Sequence, residues 1–184
     1  ICKENGILLI IDEVQSGFAR TGKMFASEHY GIEPDLITMA KSLSNGMPIS
    51  AVTGRREIMD YVHEGGLGGT FSGHPLCCAA ATEAIDFILK NNLAKRAEEI
   101  GKVVMRRFDE FEQEYDIVYA ARGLGAMCAF EIVKNKRTKV QDEKKTLEIT
   151  KHAYENGLIL LSAGLLGNDI RTLMPLTINK DQLN

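Results

Sequence analysis

Long apolar segments are absent from the sequence. No hydrophobic run approaches the roughly 20 residues that a helix needs to cross a bilayer, and the first residues show no signal-peptide pattern. These absences argue against a membrane protein, and we expect a cytoplasmic location. The net charge of -3 also lacks the positive excess of a general nucleic-acid-binding protein. A basic stretch, residues 134–139, is followed by Asp142 and Glu143 and is predicted to be a solvated loop.

Cysteine and histidine are sparse, with four of each in 184 residues. None of the spacings typical of a metal site occurs among them. We therefore expect reduced thiols and predict no metal site. With 45% apolar and 26% charged residues, the chain can form one sizeable domain or parts of two.

Two short apolar runs that each end on a charged residue are the most informative feature. Leu8–Ile11 is followed by Asp12, and Leu36–Ala40 is followed by Lys41. Such runs are typical of buried strands in a parallel sheet, and α/β proteins bind ligands beyond the carboxyl ends of these strands. The pattern predicts an α/β fold in which Asp12 and Lys41 converge on one crevice.

A carboxylate and an amine at such a crevice suit pyridoxal phosphate. The aldehyde of that cofactor forms a Schiff base with lysine, and its ring nitrogen needs an acidic partner. A buried salt bridge, or two unrelated solvated charges, is the alternative, and the pair taken alone favours it.

The remaining pattern predicts an α/β part followed by an α+β part. A glycine-rich loop at 65–69 precedes Pro75, which suits the first turn of a helix. A long amphipathic helix follows near the middle of the chain. The predicted helices are Leu76–Lys90, Leu93–Tyr115 and Val140–Asn156, with the end of another at Ile1–Gly6; the further strands are Ile49–Thr53, Ala126–Ile132, Leu158–Leu161 and Ile170–Leu173.

Four segments resemble the class III (omega-amino-acid) pyridoxal-phosphate aminotransferases in sequence, order and spacing. They are Ile10–Gly22, Met39–Ala51, Gly68–Leu76 and Asp169–Thr177. The resemblance covers the whole chain and implies a fold-type I transferase. Residues 1–95 would be the C-terminal part of a cofactor-binding large domain with a mostly parallel sheet, and residues 96–184 an α+β small domain, incomplete at its end.

The resemblance also implies roles for five residues. Lys41 would hold the cofactor as a Schiff base and then, as a neutral amine, shuttle a proton. Asp12 would face the pyridinium nitrogen, and Gln15 the phenolic oxygen. Thr70 would reach the cofactor phosphate of the neighbouring subunit in a homodimer. Arg171 would bind a substrate carboxylate through its planar guanidinium.

The implied reaction moves an amino group from an omega-amino acid such as 4-aminobutyrate to 2-oxoglutarate. Family members have a long region before the equivalent of Ile1, so we expect a C-terminal fragment that is inactive by itself. Two departures from the family pattern, His74 and Ser44–Gly46, flank the proposed cofactor contacts and leave them intact.

Two alternatives stay open. Other class III members act on ornithine or acetylornithine, or catalyse an intramolecular amino shift. A non-catalytic module that self-associates through an exposed sheet edge is a second possibility.

Overall fold

Seven short strands form two separate sheets in the computed structural model, which describes residues 1–183. The chain divides into two compact units, 1–94 and 95–184. Their assignment to a cofactor domain and a small domain remains a prediction. The strands are β1 (Ile10–Asp12), β2 (Leu36–Met39), β3 (Ala51–Gly54), β4 (Val118–Leu124), β5 (Met127–Ile132), β6 (Leu161–Ala163) and β7 (Asp169–Thr172). The helices are α1 (Arg56–Met59), α2 (Pro75–Lys90), α3 (Leu93–Glu114), α4 (Glu143–Glu155) and α5 (Lys180–Leu183).

The sheet of the first unit has the order β1-β2-β3. All three strands were predicted from the sequence and are confirmed, each shifted by a residue or two. β1 pairs with β2 in parallel, but β2 pairs with β3 in antiparallel fashion. This sheet is therefore mixed, where a mostly parallel sheet was predicted. The connection between β2 and β3, residues 40–50, is shorter than the roughly dozen residues that a parallel crossover needs.

Within residues 1–183 these strands are less buried than predicted. Ile10 is 56% exposed, Leu8 53% and Val52 52%. The long helix of this unit, α2, packs against the short turn Lys41–Leu43. Among the described residues, much of the apolar surface of the strands is therefore left uncovered, and the hydrophobicity of the runs does not predict this.

The sheet of the second unit is antiparallel, with the order β4-β5-β7-β6. Alternate residues of its central strands, among them Phe130, Ile132 and Ile170, are buried. Helix α3 covers this face, with the Phe108 ring packed edge-on against Phe130 at 4.7 Å between centroids. Burial also raises the pKa of the Cys128 thiol to about 11. The predicted α+β pattern is confirmed.

Two strands of this unit depart from the sequence prediction. β4 was not predicted, because a bulge between Tyr119 and Arg122 interrupts the alternation by which strands are recognised. β6 begins at Leu161, where Leu158–Leu161 was expected. Leu158, Ile159 and Leu160 instead line a groove beside Arg171.

Asp142 caps the start of helix α4. The Asp142 carboxylate accepts a hydrogen bond from the Lys145 backbone N–H at 3.0 Å, which satisfies one of the donors left over at a helix start. At the other end of the chain, the predicted helix end Ile1–Gly6 is a single 3-10 turn, Lys3–Asn5, closed by Gly6 at a φ of 64°.

Glycine at position 101 allows α3 to touch the turn that joins β4 to β5. A Cβ atom at Gly101 would lie 2.1 Å from the carbonyl oxygen of Gly125 and 2.7 Å from its carbonyl carbon. Both atoms belong to the backbone, so no side-chain rotation could relieve the overlap. The close approach is therefore specified by the absence of a side chain.

We expect Gly101→Ala to lower the free energy of unfolding by about 1–3 kcal/mol, because the helix must move away from the turn. In an unobstructed helix the same change would stabilise by up to about 1 kcal/mol, so the sign is informative. Thermal or urea unfolding measures it. Gly68→Ala is the matched control, since a Cβ atom there meets nothing within 4 Å. An unchanged or higher stability for Gly101→Ala would contradict the packing.

Candidate functional site

The carboxyl ends of β1 and β2 lie at the same edge of the first sheet. The parallel register pairs Ile10 with Leu36 and Asp12 with Thr38. Asp12 is the last residue of β1, and Lys41 follows directly after the residue that ends the β2 run. The two charged residues selected from the sequence are thus brought to one edge.

The Asp12 carboxylate is oriented through one of its oxygens. Oδ1 accepts hydrogen bonds from the Val14 N–H at 2.9 Å and from the Thr38 hydroxyl at 3.3 Å. Within residues 1–183 these are the hydrogen bonds that the carboxylate receives, so Oδ2 is available to a cationic donor. The side chain is exposed at the strand end. This arrangement fits a pyridinium N–H as a ligand.

Glu13 points the opposite way and is fully buried, with no exposed surface. Its Oε1 accepts a hydrogen bond from the Ser27 N–H at 2.8 Å, and its Oε2 accepts one from the Ser16 hydroxyl. Its backbone N–H donates to the Thr38 carbonyl at 3.0 Å. Glu13 therefore fixes the loop after β1, a role that sequence reasoning missed. The sequence contained a signal for this role. Glu13 directly follows Asp12, and consecutive strand residues face opposite sides of a sheet, so an outward Asp12 predicts an inward Glu13.

The loop that Glu13 anchors carries Gln15, whose side chain is exposed. Farther along, Phe18 and Ala19 are buried with φ angles of 57° and 71°, in the left-handed region that non-glycine residues rarely adopt. Burial lowers the pKa of the adjacent Arg20 guanidinium below its ordinary value. The loop is a packed, conformationally constrained segment, and it presents Gln15 at its surface.

Lys41 occupies a strained position. Its φ is 45°, unfavourable for a residue with a Cβ atom, and it begins a 3-10 turn whose Leu43 N–H donates to the Ala40 carbonyl at 2.9 Å. Leu43 and Ser44 are buried and fasten the turn. Such outliers persist where the surroundings enforce them and are concentrated at functional sites.

An open pocket of about 550 Å³ lies beside Lys41. Its walls are formed by Ser42 and by the loop from Asn45 to Ile49. Lys41 is exposed toward this space. The lysine amine can therefore be reached by a small molecule.

Thr70 lies in an exposed turn that precedes α2. Its neighbour Gly68 has no atom within 4 Å of a built Cβ. Pro75 occupies the first turn of α2, as predicted, and His74 stands at the N-cap without a capping hydrogen bond. The role of Thr70 toward a second subunit stays a prediction.

Arg171 lies in the second unit, in the middle of the β7 ladder. It pairs with Ala129 of β5 on one side and with Leu161 of β6 on the other. Its side chain lines a groove of about 290 Å³ together with Leu158–Leu161 and Thr172–Met174. A guanidinium in a mostly apolar groove is well suited to a carboxylate, because low polarity strengthens charge pairing.

No cluster of three or more histidine, cysteine or acidic side chains suited to a metal ion occurs in residues 1–183. The helices of the same residues include none long and apolar enough to cross a membrane. The prediction of no metal site stays a prediction.

The whole chain, residues 1–184, matches the family described as aminotransferase class-III. It is 49% identical over 183 residues to the probable 4-aminobutyrate aminotransferase of Bacillus subtilis (strain 168), covering 100% of this chain and 42% of that protein. It is 45% identical over 184 residues to the leucine/methionine racemase of Thermococcus litoralis, covering 100% of this chain and 41% of the racemase.

Among solved structures, acetylornithine aminotransferase from Elizabethkingia anophelis superimposes with a TM-score of 0.86 at 37% sequence identity. The match covers 99% of this chain and 44% of that one. The chain thus spans less than half the length of the relatives it matches. The predicted fold-type I architecture, shared with pyridoxal-phosphate-dependent transaminases, is confirmed. Because the family match extends from the first residue to the last, the chain belongs to the class III aminotransferases.

Proposed function

We propose that the protein containing this chain transfers an amino group from an omega-amino acid, 4-aminobutyrate in the first instance, to 2-oxoglutarate. The observation that carries the proposal is the placement of Asp12 and Lys41 at the ends of two paired parallel strands. Class III aminotransferases depend on pyridoxal phosphate, and these two residue types are those that the cofactor requires.

When bound, pyridoxal phosphate supplies an aldehyde that reacts with amines and a protonated ring that withdraws electrons from the substrate carbon. Asp12 would hold the proton on the ring nitrogen through Oδ2. Its Oδ1 is already held by Val14 and Thr38, so the carboxylate is oriented before any ligand arrives. Such preorganisation removes the need to reorder the carboxylate on binding.

Lys41 would bind the cofactor covalently through Nζ. Once released, the same nitrogen would carry a proton between the substrate carbon and a carbon of the cofactor. The exposed position of Lys41 beside an open pocket supports this role, because a small amine can approach Nζ. The fixed 3-10 turn behind it limits the motion to the flexible side chain.

Gln15 would donate to the phenolic oxygen of the cofactor from the loop that Glu13 anchors. Thr70 would contact the cofactor phosphate of a second subunit, using its hydroxyl and backbone N–H beside glycines that permit close approach. A homodimer follows from that assignment.

Arg171 would bind a substrate carboxylate, which 4-aminobutyrate and 2-oxoglutarate both carry. The groove around it is lined by leucine, isoleucine and methionine side chains, which suit the methylene chain of such substrates. A cytoplasmic location is part of the proposal, supported by four cysteines that are all free thiols, as in a reducing compartment.

Amino acid racemisation is a second candidate function. The similarity to a leucine/methionine racemase is close to that shown by 4-aminobutyrate aminotransferases, at 45% against 49% identity. A racemase would use the same lysine and aspartate but would need no 2-oxo acid. Incubation of the complete protein with a single enantiomer, with and without 2-oxoglutarate, separates the two functions.

We expect Lys41→Ala to lower the transamination rate of the complete protein at least about 100-fold, because both covalent binding and proton transfer use Nζ. Borohydride reduction followed by peptide mapping should place a stable cofactor label on Lys41 of the wild-type protein. Lys90→Ala, which breaks an exposed pair with Asp86, is the control and should keep full activity. A label spread over surface lysines would contradict the assignment.

Arg171→Lys should raise KM for 2-oxoglutarate about 10- to 100-fold, because lysine keeps the charge but loses the paired hydrogen bonds to a carboxylate. The value of kcat at saturation should change little. Steady-state kinetics measures both parameters, with the exposed Arg137→Lys as the control. An unchanged KM would remove Arg171 from the substrate site.

The dimer proposal predicts complementation between two impaired variants. In a mixed dimer of Lys41→Ala and Thr70→Ala subunits, one site would combine the intact Lys41 of one subunit with the intact Thr70 of the other. Mixing the unfolded variants in equal amounts and refolding them should give about a quarter of wild-type activity, since half the dimers are mixed and each holds one intact site. Activity no higher than the average of the two variants would indicate that Thr70 serves its own subunit.

A further inference from the structure

We infer that Arg122 is a positioning residue for carboxylate binding: it neutralises two carboxylates on the sheet face that Arg171 occupies. The inference rests on the proposed function of Arg171 as the residue that binds a substrate carboxylate. Under this inference, Arg122 offsets the negative charge of Glu131 and Asp169 near Arg171, although it lies 49 positions away from Arg171 in the sequence.

The strand register places these residues on one face of the second sheet. Arg122 pairs with Ala129, and Ala129 pairs with Arg171, so the two arginines share a row across three strands. Glu131 and Asp169 pair in the next row of the same face. Since neighbouring strands lie about 4.8 Å apart, the backbone positions of the two arginines are separated by about 10 Å.

Arg122 bridges the two carboxylates of the adjacent row. Its Nη2 donates to Oδ2 of Asp169 at 2.8 Å, and its Nη1 lies 3.4 Å from Oε1 of Glu131. The Asp169 side chain is only 15% exposed, so its charge is weakly screened by solvent. Asp169 and Arg171 are alternate residues of β7 and project from the same face. Without Arg122, both carboxylates would act on Arg171 and on any anion bound to it.

The bulge in β4 is what brings Arg122 to this face. Tyr119 pairs with Glu131 and Arg122 with Ala129, so Ala120 and Ala121 together oppose the single residue Phe130. With regular alternation from Tyr119, Arg122 would turn to the opposite face, where Phe130 is buried.

Helix α3 holds the bulge through Glu112. The two oxygens of this carboxylate accept hydrogen bonds from the N–H groups of Ala120 at 2.8 Å and Ala121 at 3.1 Å. Ala120 has a φ of 52°, and its carbonyl accepts a further hydrogen bond from Nη1 of Arg122 at 3.0 Å. The Arg122 guanidinium is therefore oriented by a backbone carbonyl as well as by the two carboxylates.

The test is the variant Arg122→Gln in the complete protein. Dissociation constants for glutarate, a dicarboxylate that cannot accept an amino group, are measured by calorimetry, and KM and kcat for 2-oxoglutarate by steady-state kinetics. We expect the glutarate Kd and the KM to rise roughly three- to tenfold, as for a unit charge removed about 10 Å away at intermediate polarity. The value of kcat should stay within about twofold, and the rise should shrink as salt is added.

Compensation distinguishes charge balance from a structural role. Arg122→Gln combined with Asp169→Asn should return Kd and KM to within about twofold of wild type, because the uncompensated charge is removed with its partner. Arg122→Lys, which keeps the charge, should resemble wild type and remains informative where the glutamine variant does not fold. Arg106→Gln is the matched control, since it removes an arginine paired with Glu110 on the surface of α3.

Each outcome decides the inference. An unchanged Kd for Arg122→Gln, with a raised Kd for Arg171→Lys, would overturn the role of Arg122 alone. A rise that the Asp169→Asn change makes larger would indicate a structural role and would overturn it as well. Glutarate binding is measured without turnover, so a protein that binds glutarate as expected but transfers no amino group to 2-oxoglutarate would refute the proposed function and leave the charge balance supported.

Discussion

The parallel pairing of β1 with β2 is the constraint on which the candidate cofactor site depends. Parallel strands end at a common edge, so the residues that follow them meet without any further folding step. Thr38 connects the two charged residues. It pairs with Asp12, donates a hydrogen bond to the Asp12 carboxylate and lies three residues before Lys41. An antiparallel arrangement of the same two strands would place the carboxylate and the amine at opposite ends of the strands.

Strand alternation sorts polar groups in both units. At the end of β1, Asp12 faces outward, where the proposed function places the cofactor, while Glu13 faces inward and anchors the loop that follows. In the second sheet, one face carries the charged side chains, and the face covered by α3 carries the apolar side chains around Phe130. A single bulge is enough to transfer an arginine from one set to the other, which shows how local backbone geometry can determine the composition of a binding surface.

The sequence was most informative where the signal is local. A charged residue at the end of an apolar run, such as Asp12 or Lys41, is recognisable from its neighbours, and the long amphipathic α3 is recognisable from its period. The exposure of Ile10 was not predictable, because burial depends on which element packs on the strand. The network of Arg122 with Asp169 was not predictable either, since only the pairing register brings these distant residues together.

The backbone conformation at Lys41 lowers stability at the residue to which the proposed function assigns the covalent chemistry. Glycine or asparagine tolerates a φ of 45° better than lysine does, and relieving such strain is worth on the order of 1 kcal/mol. The position to which the proposed function assigns the covalent chemistry is therefore one at which a substitution would increase stability. Laboratory evolution for thermal resistance without a screen for activity would select against this lysine, and under the proposed function the selected proteins would be well folded but inactive.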